Sequence, residues 1–288
     1  MSDLIRISLL GPGTFSEEST RHFLGEVPHE LMACSLIAEV FQAVVSGQAD
    51  LGVIPIENTI EGSVSQHLDW LVHDVELSIQ AEWVYPITMN LIGRSRGGES
   101  AGERLERVRE VLSHPVALGQ CRDFLRNRLP GARGVPVSST AEGARQVRER
   151  VSEEGLAAIG SQASAVLYGL DVLEAHIEDH PDNATRFALV GPRALSLGRP
   201  GRPKTSLLLT LPSDFPGALH QVLSAFARQR VNLVRIESRP TRKRLGNYFF
   251  FIDIDAALST DSVSQALAEI DSMGCSVRVL GSYLSHGV

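Results

Sequence analysis

Asn183-Ala184-Thr185 stands directly ahead of the run Arg186-Phe187-Ala188-Leu189-Val190. Asn-x-Thr is an acceptor pattern for N-linked sugar, which needs an exposed loop on a secreted chain, whereas the apolar run that follows reads as a buried strand. If the strand reading holds, Thr185 is a hydroxyl placed at a strand entry, and which reading is right decides what it is for. Four further stretches carry small polar donors where an apolar run gives way to a helix start: Gly11-Pro-Gly-Thr14-Phe-Ser16, Ile56-Glu-Asn58-Thr-Ile-Glu-Gly-Ser63, Ser113-His114-Pro115 and Ser138-Ser-Thr140. Ligands of open α/β sheets sit outside the carboxyl ends of strands, and free N–H groups at helix starts favour anions. Such loops suit a small molecule bearing carboxylates.

Other chemistries find less support. The Gly-x-Gly of the first loop has Ser16 where a dinucleotide fingerprint needs a third glycine, and no phosphate-loop motif occurs. His176 and His180 flank Glu178-Asp179 next to Pro181 without an H-E-x-x-H pattern, so they read as an ordinary surface pair and not as metal ligands. His114, just ahead of Pro115, is equally readable as a helix cap or as a catalytic imidazole. Cys34, Cys121 and Cys275 are far apart, lack C-x-x-C spacing and are expected to be reduced thiols, Cys121 as a small core residue. No cofactor and no metal is expected.

The 288 residues exceed the usual size of one domain, and 43% are hydrophobic, enough for a substantial core. A net charge of -7 without basic runs interleaved with aromatics argues against nucleic acid. Two local basic spots, Arg239 with Arg242-Lys243-Arg244 and Gly198 to Lys204, read as a solvated turn and a linker. The opening MSDLIRISLLGPG is too short in apolar residues for a signal peptide or a membrane span. A cytoplasmic protein is expected, with no membrane partner, and the sugar reading of Asn183 falls with the secretory route.

The elements that must position these loops alternate between strand and helix. Strands are expected at 4–10, 30–35, 51–56, 108–113, 135–137, 156–159, 172–178 and 184–190. Helices are expected from Ser16, over 37–46, from Pro115, after Ser139 or Thr140 and over 161–168; Arg94 to Glu103 reads as an exposed loop. Residues 75–93 are apolar for too long to be one strand and contain Pro86, which points to a broken strand crossing between lobes. This is an α/β pattern in two lobes, with the chain entering the second and returning to the first. Arg193 to Lys204 has a linker's composition. Beyond it the order is strand 205–211, helix 216–229, strands 231–238 and 247–254, helix 261–273 and strand 276–284, a βαββαβ ferredoxin-like unit.

The motifs, taken together and in order, resemble prephenate dehydratases. Gly11 to Ser16, Gly52-Val-Ile-Pro-Ile-Glu-Asn58 with Gly62, Ser113 to Cys121, Ser139-Thr-Ala141, Ala157-Ala-Ile159 with Tyr168-Gly-Leu170, and Asn183 to Phe187 carry the likeness. Gly217-Ala-Leu219 and Ile236-Glu-Ser-Arg-Pro240 look like the phenylalanine-binding elements of the family's ACT regulatory domains. The resemblance implies a catalytic domain over 1–192 with a two-lobed, periplasmic-binding-protein-like (type II) cleft. Its first lobe covers about 1–76 and 172–192 and its second about 77–171; a linker over 193–204 and an ACT domain over 205–288 follow. It implies conversion of prephenate to phenylpyruvate, water and carbon dioxide, control by L-phenylalanine, and a homo-oligomer, dimer or tetramer.

By the same resemblance Thr185 is the catalytic residue and Asn58, Ser113, Gln120, Thr14, Ser16 and Arg186 are substrate contacts, although Arg186 also reads as the partner of a nearby carboxylate. Gly217, Ala218, Leu219, Glu237, Ser238, Arg239 and Pro240 form the implied phenylalanine site, with Glu237 as acceptor for the ammonium. Val116, Gly119, Thr59 and Gly143 depart from the family's usual residues. Arogenate in place of prephenate, and a sensor of amino acids in place of an enzyme, stay open at this stage.

Overall fold

The computed structural model describes residues 4–151, 154–192, 199–241 and 248–287. β1 (Ile5–Leu10) is covered on both faces, as a central strand of a parallel sheet must be. α1 (Phe15–Leu24) begins at Thr14, whose hydroxyl accepts from Glu17 N, and carries Glu17 and Glu18 in its first turn, where they complement the helix dipole. β2 (His29–Cys34), α2 (Ile37–Val45), β3 (Leu51–Asn58), the short β4 (Gly62–Ser63) and α3 (Ser65–Asp69) follow, and α3 runs on into a π-helical turn, Trp70–Asp74. β5 (Ser78–Pro86) completes the outward part of the first lobe.

The second lobe contains β6 (Asn90–Gly93), α4 (Ala101–Glu106), β7 (Glu110–Ser113), α5 (Pro115–Gln120), α6 (Arg122–Arg128), β8 (Arg133–Pro136), α7 (Thr140–Glu149), β9 (Leu156–Gly160), α8 (Gln162–Tyr168) and β10 (Asp171–Glu174). The chain then returns as β11 (Ala184–Gly191), buried along almost its whole length. The last unit is β12 (Arg202–Thr210), α9 (Ala218–Arg228), β13 (Leu233–Pro240), β14 (Tyr248–Ile254), α10 (Asp261–Ser272) and β15 (Ser276–His286).

Four expectations shift. The loop expected at Arg94–Glu103 ends early, because Ser100 and Glu103 form a reciprocal cap that starts α4 at Ala101. The strand expected over 172–178 stops at Glu174, and His176 adopts a left-handed backbone with φ of 55°. Both lobe crossings move: β5 pairs with β11 in the first lobe, and β10 pairs with β6 in the second. The break expected within 75–93 therefore falls after Pro86. Of the expected linker, 193–198 lies outside the described residues, Arg199 donates to the carbonyls of Phe23 and Leu24 at the end of α1, and β12 already begins at Arg202. Residues 242–244 also lie outside the described residues.

The second lobe's sheet has the order β10-β6-β9-β7-β8. The other sheet runs β13-β14-β12-β15-β5-β11-β3-β1-β2, with β4 alongside β3, so the βαββαβ unit and the first lobe share one sheet. The joint is a parallel pairing of β15 with β5, in which Leu284, Ser285 and His286 stand opposite Ala81, Glu82 and Trp83. Close approach there requires glycine at 281, since a Cβ would press into the Ile79 carbonyl.

Polar groups are buried across this joint. Lys204 and Ser285 hydrogen-bond Glu82 Oε1, and the Tyr283 hydroxyl donates to Glu82 Oε2 at 3.1 Å. Burial alone would raise the Glu82 pKa, but the Arg186 and Lys204 charges outweigh it and hold the carboxyl below its ordinary value. The stability it contributes is complete above the unfolded carboxylate pKa and is lost as pH falls through the lower folded value. Glu82→Gln leaves buried cations short of a partner and should cost on the order of 3 kcal/mol at neutral pH. In thermal melts, the gap between wild type and Glu82→Gln should be widest near neutrality and close as pH drops below about 4.5, the ordinary carboxylate value.

Candidate active site

A cleft of about 830 Å³ lies between the lobes. Its floor comes from the carboxyl ends of β1 and β3 and from the start of β11, and its far wall from the starts of α5 and α7. α1, α5 and α7 all open onto it with capped N-termini: Thr14 accepts from Glu17 N, His114 Nδ1 from Val116 N, and Ser139 from Glu142 N. Three helix starts facing one cavity make it receptive to anionic groups. Gly13, with φ of 75°, lets the first loop turn tightly against the second lobe, where Ser164 Oγ donates to the Gly13 carbonyl.

Thr185 lines this cleft and is 8% exposed. On β11 it stands opposite Asn58 of β3 and Tyr85 of β5. Asn58 Oδ1 accepts from the Ile60 and Glu61 N–H groups, at 2.9 and 3.0 Å, which turns its amide nitrogen toward Thr185. Asn58 Nδ2 lies 3.0 Å from Thr185 Oγ1 and 2.8 Å from Asn183 Oδ1. Since Thr185 Oγ1 accepts there, its own O–H remains to donate, and among the described residues no protein acceptor takes it.

The contacts close into a ring. Asn183 Nδ2 donates to Gln120 Oε1 at 3.0 Å, and Gln120 Nε2 reaches Glu61 Oε1 at 3.3 Å. Glu61 N returns to Asn58. Gln120 belongs to the second lobe, Asn58 and Glu61 to the first, and Asn183 to the returning crossing. Asn183 is 2% exposed and fully engaged, which excludes a sugar attachment site in this fold.

The other expected contacts divide. Thr14 and Ser16 line the cleft with Asn58 and Gln120, although the Thr14 hydroxyl is spent on its cap and on the Leu10 carbonyl. Ser113 does not line it; fully buried, it donates to the Ile159 carbonyl at 2.8 Å and ties β7 to β9. Arg186 points to the opposite face of β11 and lies among Glu57, Glu82 and Asp253, so of its two sequence readings the carboxylate partner is the one the structure shows. Buried Cys121 has its thiol pKa pushed up by burial, as an inert core residue. Tyr85 donates to Glu18, and burial together with that carboxylate pushes its pKa up to about 12.

Three groups escaped the sequence reading. Asn183 entered the sequence reading only within the rejected sugar pattern and the motif over 183–187, Glu61 only within the loop over 56–63, and Arg145 not at all. Arg145 lines the cleft one turn beyond Ser139-Thr140 and is held by Glu142 and Glu149. The signal that could have found it is its distance from that loop, one helical turn into α7.

The residues expected to bind phenylalanine do not face one way. Gly217, with φ of 93°, is the N-cap of α9, and Ala218 and Leu219 form its first turn. Ser238 and Pro240 share the helix side of β13. Glu237 and Arg239 turn to the first lobe: Glu237 pairs with Arg235 and accepts from Ser65, and Arg239 pairs with Asp69 at 2.8 Å. The ammonium role expected of Glu237 conflicts with these commitments.

A two-lobed α/β domain with a cleft between its lobes, joined edge to edge with a βαββαβ unit, is thus the class of protein. Residues 7–194 match the prephenate dehydratase family and residues 205–272 the ACT domain. The chain belongs to the prephenate dehydratase family. It is 37% identical over 289 residues to the prephenate dehydratase of Lactococcus lactis subsp. lactis (strain IL1403), covering 99% of each chain. The crystal structure of prephenate dehydratase from Arthrobacter aurescens in complex with L-Phe is 38% identical, with a TM-score of 0.85 over 97% of this chain and 90% of that one. A structure described as a novel type of quorum quenching acylase is 27% identical, with a TM-score of 0.83 over 98% of both chains.

Asn58→Asp keeps the side chain's shape but replaces the donor facing Thr185 Oγ1 and Asn183 Oδ1 with an acceptor. Turnover should fall about 10²-fold or more. Steady-state kinetics beside a melting curve will check that the loss exceeds any change in folding.

Proposed function

We propose that this chain is a prephenate dehydratase, converting prephenate to phenylpyruvate, water and carbon dioxide. The observation that carries the reading is the Thr185 hydroxyl, oriented by Asn58 and left free to donate into a cleft that helix starts make receptive to carboxylates. Prephenate carries two carboxylates and a ring hydroxyl. Cleavage of the bond to the ring carboxylate releases carbon dioxide, and the electron pair moves through the ring to expel the hydroxyl, which leaves as water once protonated. The ring becomes aromatic, so the drive is in the substrate.

The site's own task is to orient a dianion and to help a poor leaving group. The N-termini of α1 and α7 and the amide of Gln120 hold the retained carboxylate, through charge-assisted hydrogen bonds of about 1.5 to 3 kcal/mol each. Thr185 hydrogen-bonds the departing oxygen as charge develops there. A threonine hydroxyl is a weak acid, so the proton it passes on is replaced from water. An acyl-transfer chemistry fits less well, because a nucleophilic hydroxyl needs a base as neighbour and Thr185 Oγ1 has a donor.

L-Phenylalanine is the effector in this reading, its carboxylate met by the N–H groups of Gly217 and Leu219 at the start of α9, while the Ala218 N–H donates to the Phe215 carbonyl. β13 is the sheet's edge, with Val234 and Ile236 exposed, and supports pairing with a second copy in a dimer or tetramer. No helix among the described residues is long and apolar enough to cross a membrane, and three buried free cysteines suit a cytoplasmic setting.

Pure protein given prephenate without any cofactor should form phenylpyruvate, and arogenate given in parallel, with phenylalanine as the product to look for, measures the preference between the two. Thr185→Ser should stay active, while Thr185→Ala should lose about 10² to 10³-fold in kcat. Equal rates for wild type and Thr185→Ala would remove Thr185 from the reaction. Adding L-phenylalanine should lower turnover and raise the melting temperature; Gly217→Val, whose side chain is strained at positive φ, should weaken both responses.

A further inference from the structure

We infer that Arg186 is a positioning residue for Thr185, and that the ACT unit holds Arg186 in place through Asp253. The inference rests on the dehydratase reading and extends it to groups behind the cleft. Arg186 follows Thr185 on β11 and is 9% exposed on the face away from the substrate. Its Nη2 lies 2.7 Å from Glu57 Oε2 on β3, and its Nη1 lies 3.3 Å from Glu82 Oε2 on β5 and 3.1 Å from Asp253 Oδ2 on β14. One guanidinium therefore grips both neighbours of β11 and reaches the ACT unit.

The two catalytic partners sit directly in front of this grip. Glu57 precedes Asn58, and the pairs Thr185↔Asn58 and Arg186↔Glu57 are adjacent rungs of one ladder. Immediately beyond, between Arg186 and Phe187, the register of β11 against β3 slips. A register irregularity disrupts the ladder and re-aims side chains, so main-chain pairing does not by itself fix the Thr185 hydroxyl against Asn58. The Arg186 charge contacts supply the constraint on that side.

The constraint is borrowed from the ACT unit. Asp253 is 1% exposed, and its other oxygen accepts from Ser206 Oγ at 2.5 Å, so it is held ready for Arg186. Among the described residues neither Nε nor Nη2 of Arg186 makes a hydrogen bond, so the Glu57 contact is an ion pair, and the hydrogen bonds of the head are those of Nη1 to Glu82 and Asp253. Glu57 is the most exposed of the three carboxylates, and Glu82 is shared with Lys204 of β12. Without Asp253, a buried cation keeps one solvated partner and one divided partner. Motion of the ACT unit against the first lobe reaches Arg186 first and Thr185 one residue later.

The test is a mutant cycle in the full-length chain, assayed with prephenate. Asp253→Asn should lower kcat about tenfold to a hundredfold while KM stays within about twofold, because the reacting geometry and not substrate binding is disturbed. In a Thr185→Ala background the same substitution should have almost no further effect, since it acts through Thr185. Arg186→Lys, which keeps the charge but not the fork, should recover part of the kcat lost in Arg186→Met. Should Asp253→Asn not fold, Ser206→Ala, which frees Asp253 without removing its charge, takes its place with the same expected pattern and smaller size. An unchanged kcat, a loss confined to KM, or the same fold-loss in both Thr185 backgrounds would overturn the inference. A wild type that leaves prephenate unconverted overturns the activity reading and this inference with it, whereas an active wild type beside an unaffected variant overturns this inference alone.

Discussion

Successive side chains of a strand must point to opposite faces, and on β11 that two-residue period joins two jobs at neighbouring positions. Thr185 enters the cleft, and Arg186 is driven into the space behind it, where water is scarce and a bare guanidinium could not be tolerated. Glu57, Glu82 and Asp253 converge there because burial of the charge requires them. Burial would lower the pKa of Arg186, yet the three carboxylates raise it instead, so the residue stays cationic. Much of the molecule's layout follows, since one of those carboxylates belongs to the ACT unit and the sheet must run continuously for it to arrive.

On the cleft side, orientation is achieved mainly with neutral groups. Asn58, Asn183 and Gln120 pass hydrogen bonds from one to the next, and Glu61 closes the circuit. Amides do not titrate, so Asn58, Asn183 and Gln120 keep their donor pattern when a dianion arrives. It also spans both lobes and the crossing between them, so lobe position and Thr185 geometry are read by the same set of bonds.

The alternation of strand and helix, the two lobes and the βαββαβ order were legible because apolar runs and glycine-proline turns repeat with clear periods. Ser100 and Glu103 hid a helix start inside a polar stretch, and the pairing partners of β5 and β10, which set the lobe limits, are long-range facts that no local pattern carries. Thr185, Asn58 and Gln120 could be singled out from motif order. Ser113 could not be told from a cleft residue, since a serine ending a strand looks the same whether it faces a ligand or the Ile159 carbonyl. The bridging part of Asn183 went unread because its partner Gln120 lies 63 residues away in the chain, and the joint between β15 and β5 left no trace in either segment.

That joint also sets an order of assembly. β15 follows every other described strand, yet it pairs with β5, whose opposite neighbour β11 is complete long before. A ribosome releases the catalytic lobes first, and until the last strand emerges β5 offers an unpaired edge with Ala81 and Trp83 beside it. Open edges of this kind recruit other strands. Glu82, a carboxylate at the centre of that edge, discourages a foreign partner while the edge is bare and then becomes the anchor for Lys204 and Ser285 when the rightful one arrives.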